Sequence, residues 1–304
     1  MTKIHEIAVD LGHGYTKYNG GRFASAYDPV VLTMSASKEE VHVIEYNGAE
    51  YQIGTGRNFH GDDRFFTDAY KMCLLTAIVL SVPKHERAFI ECNLVVGLPL
   101  SKLADIGEKL IKHIESWDLQ QITVDGAKCV VKISSCQVFV EGAYCVKEPR
   151  EGDVLTVDIG AQTVNVIQWQ DGVAVAELPL TKSVHALLSD ILAFVNATVP
   201  GASYSDLSTI ERRVFNKDMT NINQVSVDVS KHKAVIEAFV ANMHSAIHQR
   251  FDLSSVDEII FLGGGSILLR DYLEYKFPTA EFVENAQYVN QEIFKMALGE
   301  SEVA

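Results

Sequence analysis

Two short segments of the sequence repeat one arrangement of an acidic residue and a glycine. Residues 7–17 read IAVDLGHGYTK, and residues 155–163 read LTVDIGAQT. In each, an apolar run typical of a buried strand ends in Asp, an apolar residue and Gly. Glycine lets a ligand approach the backbone and is free to adopt positive φ, and successive N–H groups in such a turn bind anions. The two segments therefore predict two phosphate-binding turns.

The aspartates before the turns, Asp10 and Asp158, predict a divalent cation as well. Unit charges ~4 Å apart interact by roughly 4 kcal/mol at an effective dielectric of 20, so a carboxylate facing a polyphosphate is unfavourable without a metal. Mg²⁺ keeps several waters and accepts carboxylates that contact it indirectly. One Asp-x-Gly segment is also common in ordinary β-turns. The repetition in equivalent strand contexts favours the phosphate interpretation.

Composition limits the class of protein. A chain of 304 residues with 47% hydrophobic residues is long enough for two globular domains. Its net charge of −14 argues against a surface that binds nucleic acid directly, so any contact with DNA is expected to run through a partner. The N-terminus lacks a secretory signal, and the most apolar run, residues 72–82, is shorter than the roughly 20 residues of a membrane span. We expect a cytoplasmic protein with no membrane contact.

The cysteines and histidines do not indicate a metal site. The five cysteines are scattered and form no C-x-x-C pair, which predicts neither a disulfide framework nor a thiolate zinc site. His244 and His248 have the spacing of one helical turn but no evident third ligand. An ordinary polar helix face is the favoured interpretation of this pair.

Hairpins, a buried helix and a glycine turn are predicted around the two Asp segments. Alternating residues flank Asn47-Gly48 and Asp171-Gly172, which predicts two β-hairpins. Residues 65–80 are apolar on almost every face and predict a buried helix. A strand at 89–96 leads into Gly97-Leu98-Pro99, after which Ser101 is the predicted N-cap of an amphipathic helix. A strand at 257–262 runs into the glycine turn 263–266.

Taken together, these segments resemble the superfamily of actin, sugar kinases and heat-shock chaperone ATPases. The aromatic-rich segment ending in Tyr70 and the Gly-Leu-Pro segment are similar to plasmid-segregation actins of the ParM/StbA type. The resemblance implies an α/β, actin-like duplicated two-domain fold, with RNase H-like mixed sheets flanked by helices and a nucleotide cleft between the domains. The expected limits are 1–153 for domain I, with a small subdomain at about 31–82, and 154–304 for domain II, with a small subdomain at about 195–240.

The resemblance also implies ATP or ADP with Mg²⁺ as cofactors. Asp10 and Asp158 are matched to the residues that orient the hydrated metal and act in catalysis. Residues 137–144 resemble the connecting segment of the superfamily, which in relatives begins the helix that crosses between the domains. Within this segment Glu141 is matched to the residue that positions the attacking water, with Gln137 as its rival. The residues expected to bind nucleotide are Gly12, His13, Gly14, Tyr15, Thr16, Lys17, Gly160, Ala161, Gln162, Thr163, Glu211, Gly263, Gly264, Gly265 and Ser266. Among them, Lys17 matches a phosphate-contacting lysine, and Glu211, with Arg212, matches base-contacting residues in position only.

Three functions follow from the resemblance. The first is an ATPase that polymerises into filaments and segregates plasmid DNA through a DNA-binding adaptor protein on a centromere-like site. The second is a small-molecule kinase, for which the sequence offers no convincing catalytic base or sugar pocket. The third is a binding module that uses nucleotide as a conformational switch without polymerising. Polymerisation itself and the choice between ATP and GTP stay open, because filament contacts have no motif and glycine turns do not read the base.

Overall fold

The computed structural model describes residues 3–29, 40–59, 61–198 and 229–300, together with residues 207, 210, 221–222 and 225–226. By internal contacts the chain divides into two compact units, Met1–Glu148 with Tyr288–Ala304, and Pro149–Gln287. The C-terminal helix thus returns to the first unit, a feature that the predicted limits at 153 and 154 do not include. Parts of the two predicted small subdomains lie outside the described residues.

In the described chain a run of strands precedes the first α-helix, and groups of strands and helices follow. The strands are β1 (Ile4–Leu11), β2 (Tyr15–Tyr18), β3 (Gly21–Ala24), β4 (Ala26–Asp28), β5 (His42–Tyr46), β6 (Ala49–Ile53), β7 (Arg57–Asn58), β8 (Phe89–Leu98), β9 (Gln120–Val124), β10 (Ala127–Val140), β11 (Asp153–Ile159), β12 (Val164–Gln170), β13 (Val173–Leu180), β14 (Asn221–Ile222), β15 (Val225–Ser226), β16 (Glu258–Leu262) and β17 (Glu281–Phe282). The helices are α1 (Asp68–Ser81), α2 (Leu100–Glu115), α3 (Tyr144–Lys147), α4 (Val184–Thr198), α5 (Val229–Arg250), α6 (Gly264–Leu268), α7 (Arg270–Lys276) and α8 (Val289–Glu300). Short 3₁₀ turns cover Asp62–Phe66, Lys84–Glu86 and Ala286–Tyr288.

Each unit contains the same five-strand pattern. In the first unit the order β3-β2-β1-β8-β10 has antiparallel pairs up to β1 and parallel pairs beyond it. In the second unit β13-β12-β11-β16-β17 repeats that order and those directions. The central strands β1 and β11 are buried over their last residues, which explains their continuous apolar runs. The predicted α/β fold with mixed sheets and flanking helices is confirmed.

The predicted hairpins and the buried helix are also confirmed. Asn47 and Gly48 join β5 to β6, and Asp171 and Gly172 join β12 to β13. All four residues have positive φ, between 49° and 80°, as a two-residue type I′ turn requires. The helix α1 is buried over almost its whole length and packs into the core of the first unit.

Two local predictions are wrong. The helix α2 begins at Leu100 with Pro99 at the N-cap, so Ser101 lies inside the helix and does not cap it. Proline is favoured at the start of a helix because its fixed φ suits the first turn and it has no N–H group that needs a hydrogen-bond partner. The segment from Gln137 does not begin a connecting helix either, because β10 continues to Val140 in parallel pairing with β8 and only the short α3 follows.

The C-terminal helix α8 packs on the sheet of the first unit. Gln291 Nε2 donates to the carbonyl oxygen of Ala8 on β1 at 3.5 Å. The ring of Phe294 lies against Gly97 on β8, where a Cβ atom would be 2.7 Å from Phe294 Cε2 and 3.1 Å from Glu141 Cγ. Glycine at position 97 therefore makes room for the helix.

The cysteines lie in the interior of the fold. All five cysteines are free and buried. Burial raises the pKa of the Cys92 and Cys136 thiols to about 12, which disfavours the reactive thiolate. Within the described residues, no helix combines the length and apolar composition required to cross a bilayer.

We predict that Gly97→Ala destabilises the first unit because the added methyl group overlaps a fully buried ring. Overpacking of this kind costs about 1–3 kcal/mol in the free energy of unfolding. Gly299→Ala in α8 is the matched control, because a Cβ atom there meets nothing within 4 Å. Denaturant unfolding of both variants measures the difference, and equal stability of the two would contradict this packing.

Candidate functional site

The first Asp turn connects β1 to β2. Asp10 is buried at the end of β1, and the hairpin register pairs it with Lys17. Gly12 N–H donates to the carbonyl oxygen of Tyr15 at 3.1 Å, which closes the turn. Lys17 Nζ lies 2.7 Å from Asp10 Oδ2. The register therefore places the predicted phosphate-binding lysine on the predicted metal-orienting carboxylate.

A serine outside the motif braces this first turn. Ser25 Oγ donates to the carbonyl oxygen of Gly12 at 2.7 Å and lies 2.9 Å from Thr16 Oγ1. Ser25 N–H also donates to the carbonyl oxygen of Gly14 at 2.9 Å. The side chain of Thr16 is fully buried, so its hydroxyl holds the turn from inside, whereas His13 and Tyr15 are half-exposed. The sequence gives no sign of Ser25, because the contact follows from the pairing of β2 with β3.

The second Asp turn, between β11 and β12, is built in the same way. Asp158 is buried and pairs with Asn165, and Gly160 N–H donates to the carbonyl oxygen of Thr163 at 2.9 Å. Ser183 Oγ braces the turn by donating to the carbonyl oxygen of Ala161 at 2.7 Å. The turn residues, Gly160, Ala161, Gln162 and Thr163, are all half-exposed. Both units therefore present a serine-braced turn directly after a buried aspartate.

The glycines at positions 12 and 160 allow a carbonyl oxygen of the same turn to lie close to the backbone. Gly12 and Gly160 do not adopt the positive φ that glycine would permit. A Cβ atom would instead lie 3.2 Å from the Tyr15 carbonyl oxygen at Gly12 and 3.1 Å from the Thr163 carbonyl oxygen at Gly160. These tight contacts are the physical reason for glycine at both positions.

The glycine turn after β16 packs on the second Asp turn. Gly263 has a φ of 81°, and a Cβ atom there would overlap Asp158 Oδ1 and lie 2.6 Å from the Ile159 carbonyl oxygen. A Cβ atom at Gly265 would lie 2.7 Å from Val184 Cγ2. Only Gly264 has room, since its nearest neighbour would be Gln287 Cβ at 4.0 Å. The structure thus brings two of the predicted segments together and leaves Gly264 as the open position.

The buried Ser266 and the half-exposed Glu141 occupy different surroundings. Ser266 Oγ donates to the carbonyl oxygen of Gly263 at 2.8 Å and so stabilises the glycine turn. Glu141 directly follows β10, and its N–H donates to the carbonyl oxygen of Leu98 at the end of β8 at 2.9 Å. Because the carboxyl ends of β1, β8 and β10 share one edge of the sheet, Glu141 lies at the same edge as Asp10. Gln137 lies inside β10, paired with Val95.

Arg64 is a charged residue of this edge that the sequence does not reveal. It lies in the 3₁₀ turn before α1, its exposed fraction is 2%, and its guanidinium stacks 4.5 Å from the centre of the Phe65 ring. Its Nη1 has no hydrogen-bond partner among the described residues. Burial lowers the pKa of Arg64, and the nearby charges of Glu141, Tyr70 and Asp10 oppose that shift. Arg64 is thus electrostatically coupled to both acidic residues of the edge.

A single carboxylate at each Asp turn would fit a magnesium ion that takes its other ligands from water or from a bound anion. The described residues contain no group of three or more histidines, cysteines and acidic residues that could hold a metal. Each Asp turn supplies a single carboxylate, which matches the preference of Mg²⁺ for few protein ligands. The rings of His244 and His248 stack at 6.3 Å on α5, and burial, followed by Lys276 and His248, lowers the pKa of His244. Glu211 and Arg212 lie outside the described residues.

A family model matches most of the first unit. Residues 8–143 match the family model described as actin-like proteins N-terminal domain. No curated protein matches the sequence.

Solved structures with the same fold cover almost the whole chain. A ParM protein named as a non-polymerisable quadruple mutant of pCBH ParM has a TM-score of 0.78 and 16% identity, and covers 98% of this chain and 100% of its own. An archaeal actin homologue, Ta0583, in complex with ADP has a TM-score of 0.79 and 19% identity over 98% and 100% of the two chains. A 15-stranded ParM filament from Clostridium botulinum has a TM-score of 0.79 and 16% identity over 98% and 99%.

The structural similarity agrees with the strand order that the two units share. ParM proteins are among the solved structures that share this fold. The chain has the two-domain actin-like fold, and its residues 8–143 match the model of the N-terminal domain of actin-like proteins.

Proposed function

We propose that this chain binds and hydrolyses ATP with Mg²⁺ and polymerises into nucleotide-dependent filaments. The observation that carries the proposal is the braced Asp turn that occurs once in each unit, with half-exposed turn residues after a buried carboxylate. The backbone amides of such turns bind phosphate. Solved structures of the same fold include an archaeal actin homologue with ADP and a ParM filament. Together with the two turns, this similarity favours a nucleotide as the ligand.

Each residue group has a distinct role in the proposed reaction. The amides of His13 and Gly14 and of Ala161 to Thr163 bind the phosphates, Gly12 and Gly160 close the two turns, and Gly264 lets the nucleoside approach the backbone. Asp10 and Asp158 orient the hydrated Mg²⁺, which neutralises phosphate charge when it is bound. Glu141 orients the attacking water. Catalysis of this kind is mostly positioning and electrostatics.

Lys17 has one role when nucleotide is absent, as the ion-pair partner of Asp10, and a second role in binding phosphate. Its ammonium is 2.7 Å from the Asp10 carboxylate in this structure. A phosphate at the adjacent turn offers a second anionic partner, so Lys17 bridges Asp10 and the phosphate. The ion pair then keeps the carboxylate from repelling the nucleotide.

We further propose that the filament segregates plasmid DNA in the cytoplasm through a DNA-binding adaptor on a centromere-like site. The net charge of −14 supports an indirect contact, since a direct one needs basic residues to neutralise phosphates. The ParM proteins of the same fold support the cellular role. The adaptor is then the partner that links an acidic filament to DNA.

Filament formation is tested by light scattering and pelleting of the purified protein with Mg-ATP, Mg-ADP, Mg-GTP or no nucleotide. Phosphate release is followed in the same samples. We expect pelleting with the triphosphate and disassembly as phosphate appears. Hydrolysis without assembly over a wide range of protein concentration would contradict the filament and favour a small-molecule kinase or a non-polymerising switch.

The role of Asp158 is tested by Asp158→Asn, which keeps the size of the side chain and removes its charge. We expect phosphate release to fall by about 100-fold or more, because a charge aimed at the metal and phosphates is lost. The control is Asp190→Asn on the exposed face of α4 in the same unit. Turnover near that of the unmodified protein in Asp158→Asn would refute the assignment.

A further inference from the structure

Arg64 combines complete burial with an unused hydrogen-bond donor. Its exposed fraction is 2%, and Nη1 has no partner among the described residues. Buried arginines are normally paired, because removing a charge from water is costly unless hydrogen bonds replace the lost hydration. The stacking on Phe65 satisfies the face of the guanidinium and leaves its edge to donate.

The backbone around Arg64 is tied to the start of α1. Thr67 Oγ1 donates to the carbonyl oxygen of Arg64 at 2.7 Å and accepts from Tyr70 N–H at 3.2 Å. Thr67 N–H also donates to the Arg64 carbonyl oxygen. Because α1 is buried in the core, these bonds fix the position from which the guanidinium projects.

The acidic groups near Arg64 do not account for its free donor. Asp10 is already bound by Lys17 at 2.7 Å. Glu141 is half-exposed, and its charge raises the pKa of Arg64, against the lowering by burial. Arg64 Nη1 nevertheless makes no hydrogen bond to Glu141. The two cations Lys17 and Arg64 match the two anions Asp10 and Glu141 in number, so an added anion meets no excess negative charge from these four groups.

A phosphate group is the anion that this donor suits best. Arginine presents a planar fork of donors that matches the oxygens of phosphate, and its hydrogen bonds to ionised oxygens are strong. Arg64 shares its surroundings with Glu141, to which we assign the water that attacks the terminal phosphate. The terminal phosphate is the group next to the water that we assign to Glu141, so it is the phosphate that we assign to the buried donor Nη1.

We propose that Arg64 binds the terminal phosphate of the nucleoside triphosphate and thereby makes the site discriminate triphosphate from diphosphate. The inference rests on the proposed nucleotide binding. It adds a discriminating residue to the site, because hydrolysis and phosphate release remove the partner of Nη1. Since Arg64 is tied to α1 through Thr67, the first turn of that helix is the part of the fold that responds to the change.

The test compares Arg64→Gln and Arg64→Lys with Arg87→Gln as a matched control. Arg87 belongs to the same unit, but its Nε donates to the Val82 carbonyl oxygen beyond the other end of α1, about 20 Å away for a 14-residue helix. Dissociation constants are measured calorimetrically for Mg-ADP and for a non-hydrolysable Mg-ATP analogue. Mg-GDP and a non-hydrolysable Mg-GTP analogue are measured in parallel. The protein concentrations are those at which pelleting shows no assembly. Thermal unfolding without nucleotide checks the fold of each variant.

For Arg64→Gln we expect the affinity for the triphosphate analogue to fall at least about 30-fold, as when one partner of a buried charged hydrogen bond is removed. The affinity for the diphosphate changes little, and Arg64→Lys falls between because it keeps the charge and loses the fork. Arg87→Gln leaves the ratio of the two affinities unchanged. If Arg64→Gln does not fold, the test is the fall in the ratio of triphosphate to diphosphate affinity in Arg64→Lys.

Two results would overturn the inference while the proposed function stands. One is an equal change in diphosphate and triphosphate affinity in the Arg64 variants. The other is slower phosphate release with unchanged affinity for the analogue, which would assign Arg64 to the positioning of Glu141. If the unmodified protein binds neither nucleotide, the proposed function itself fails.

Discussion

The burial of a carboxylate at the end of the central strand is the constraint on which each unit depends. Asp10 and Asp158 have exposed fractions of 2% and 6%, and a charge in such a place requires compensation. In the first unit the compensation comes from Lys17, at a register position fixed by the hairpin. In the second unit the register position is filled by Asn165, and the glycine turn makes room for the carboxylate.

The two units share a backbone arrangement and differ in their side chains. Both turns close with a glycine N–H donating to the carbonyl oxygen three residues later, and a serine from outside the turn holds each of them. The surroundings differ, because Gly97 in the first unit admits a helix whereas Gly263 in the second admits the aspartate itself. A common strand order therefore supports two chemically distinct sites, one rich in charge and one built from glycine.

The sequence predicts what depends on neighbouring residues and misses what depends on the fold. Asn-Gly and Asp-Gly turns, buried strands and the apolar helix follow from local patterns, and they were predicted correctly. The expected helix after Gln137 is wrong because pairing with β8 extends β10, a long-range effect. Arg64 and Ser25 carry no local signal, since their roles come from burial and from strand pairing.

The charges of the first unit bear on the proposed need for a metal. Lys17 and Arg64 equal Asp10 and Glu141 in number, so these four groups would not neutralise the charge of a bound polyphosphate. Under the proposed function the remaining negative charge would require a cation, and Mg²⁺ accepts carboxylates that contact it through water. Arg64 Nη1 has no hydrogen-bond partner among the described residues, so a bond from it to the terminal phosphate would make the energy of the proposed site depend on that one group.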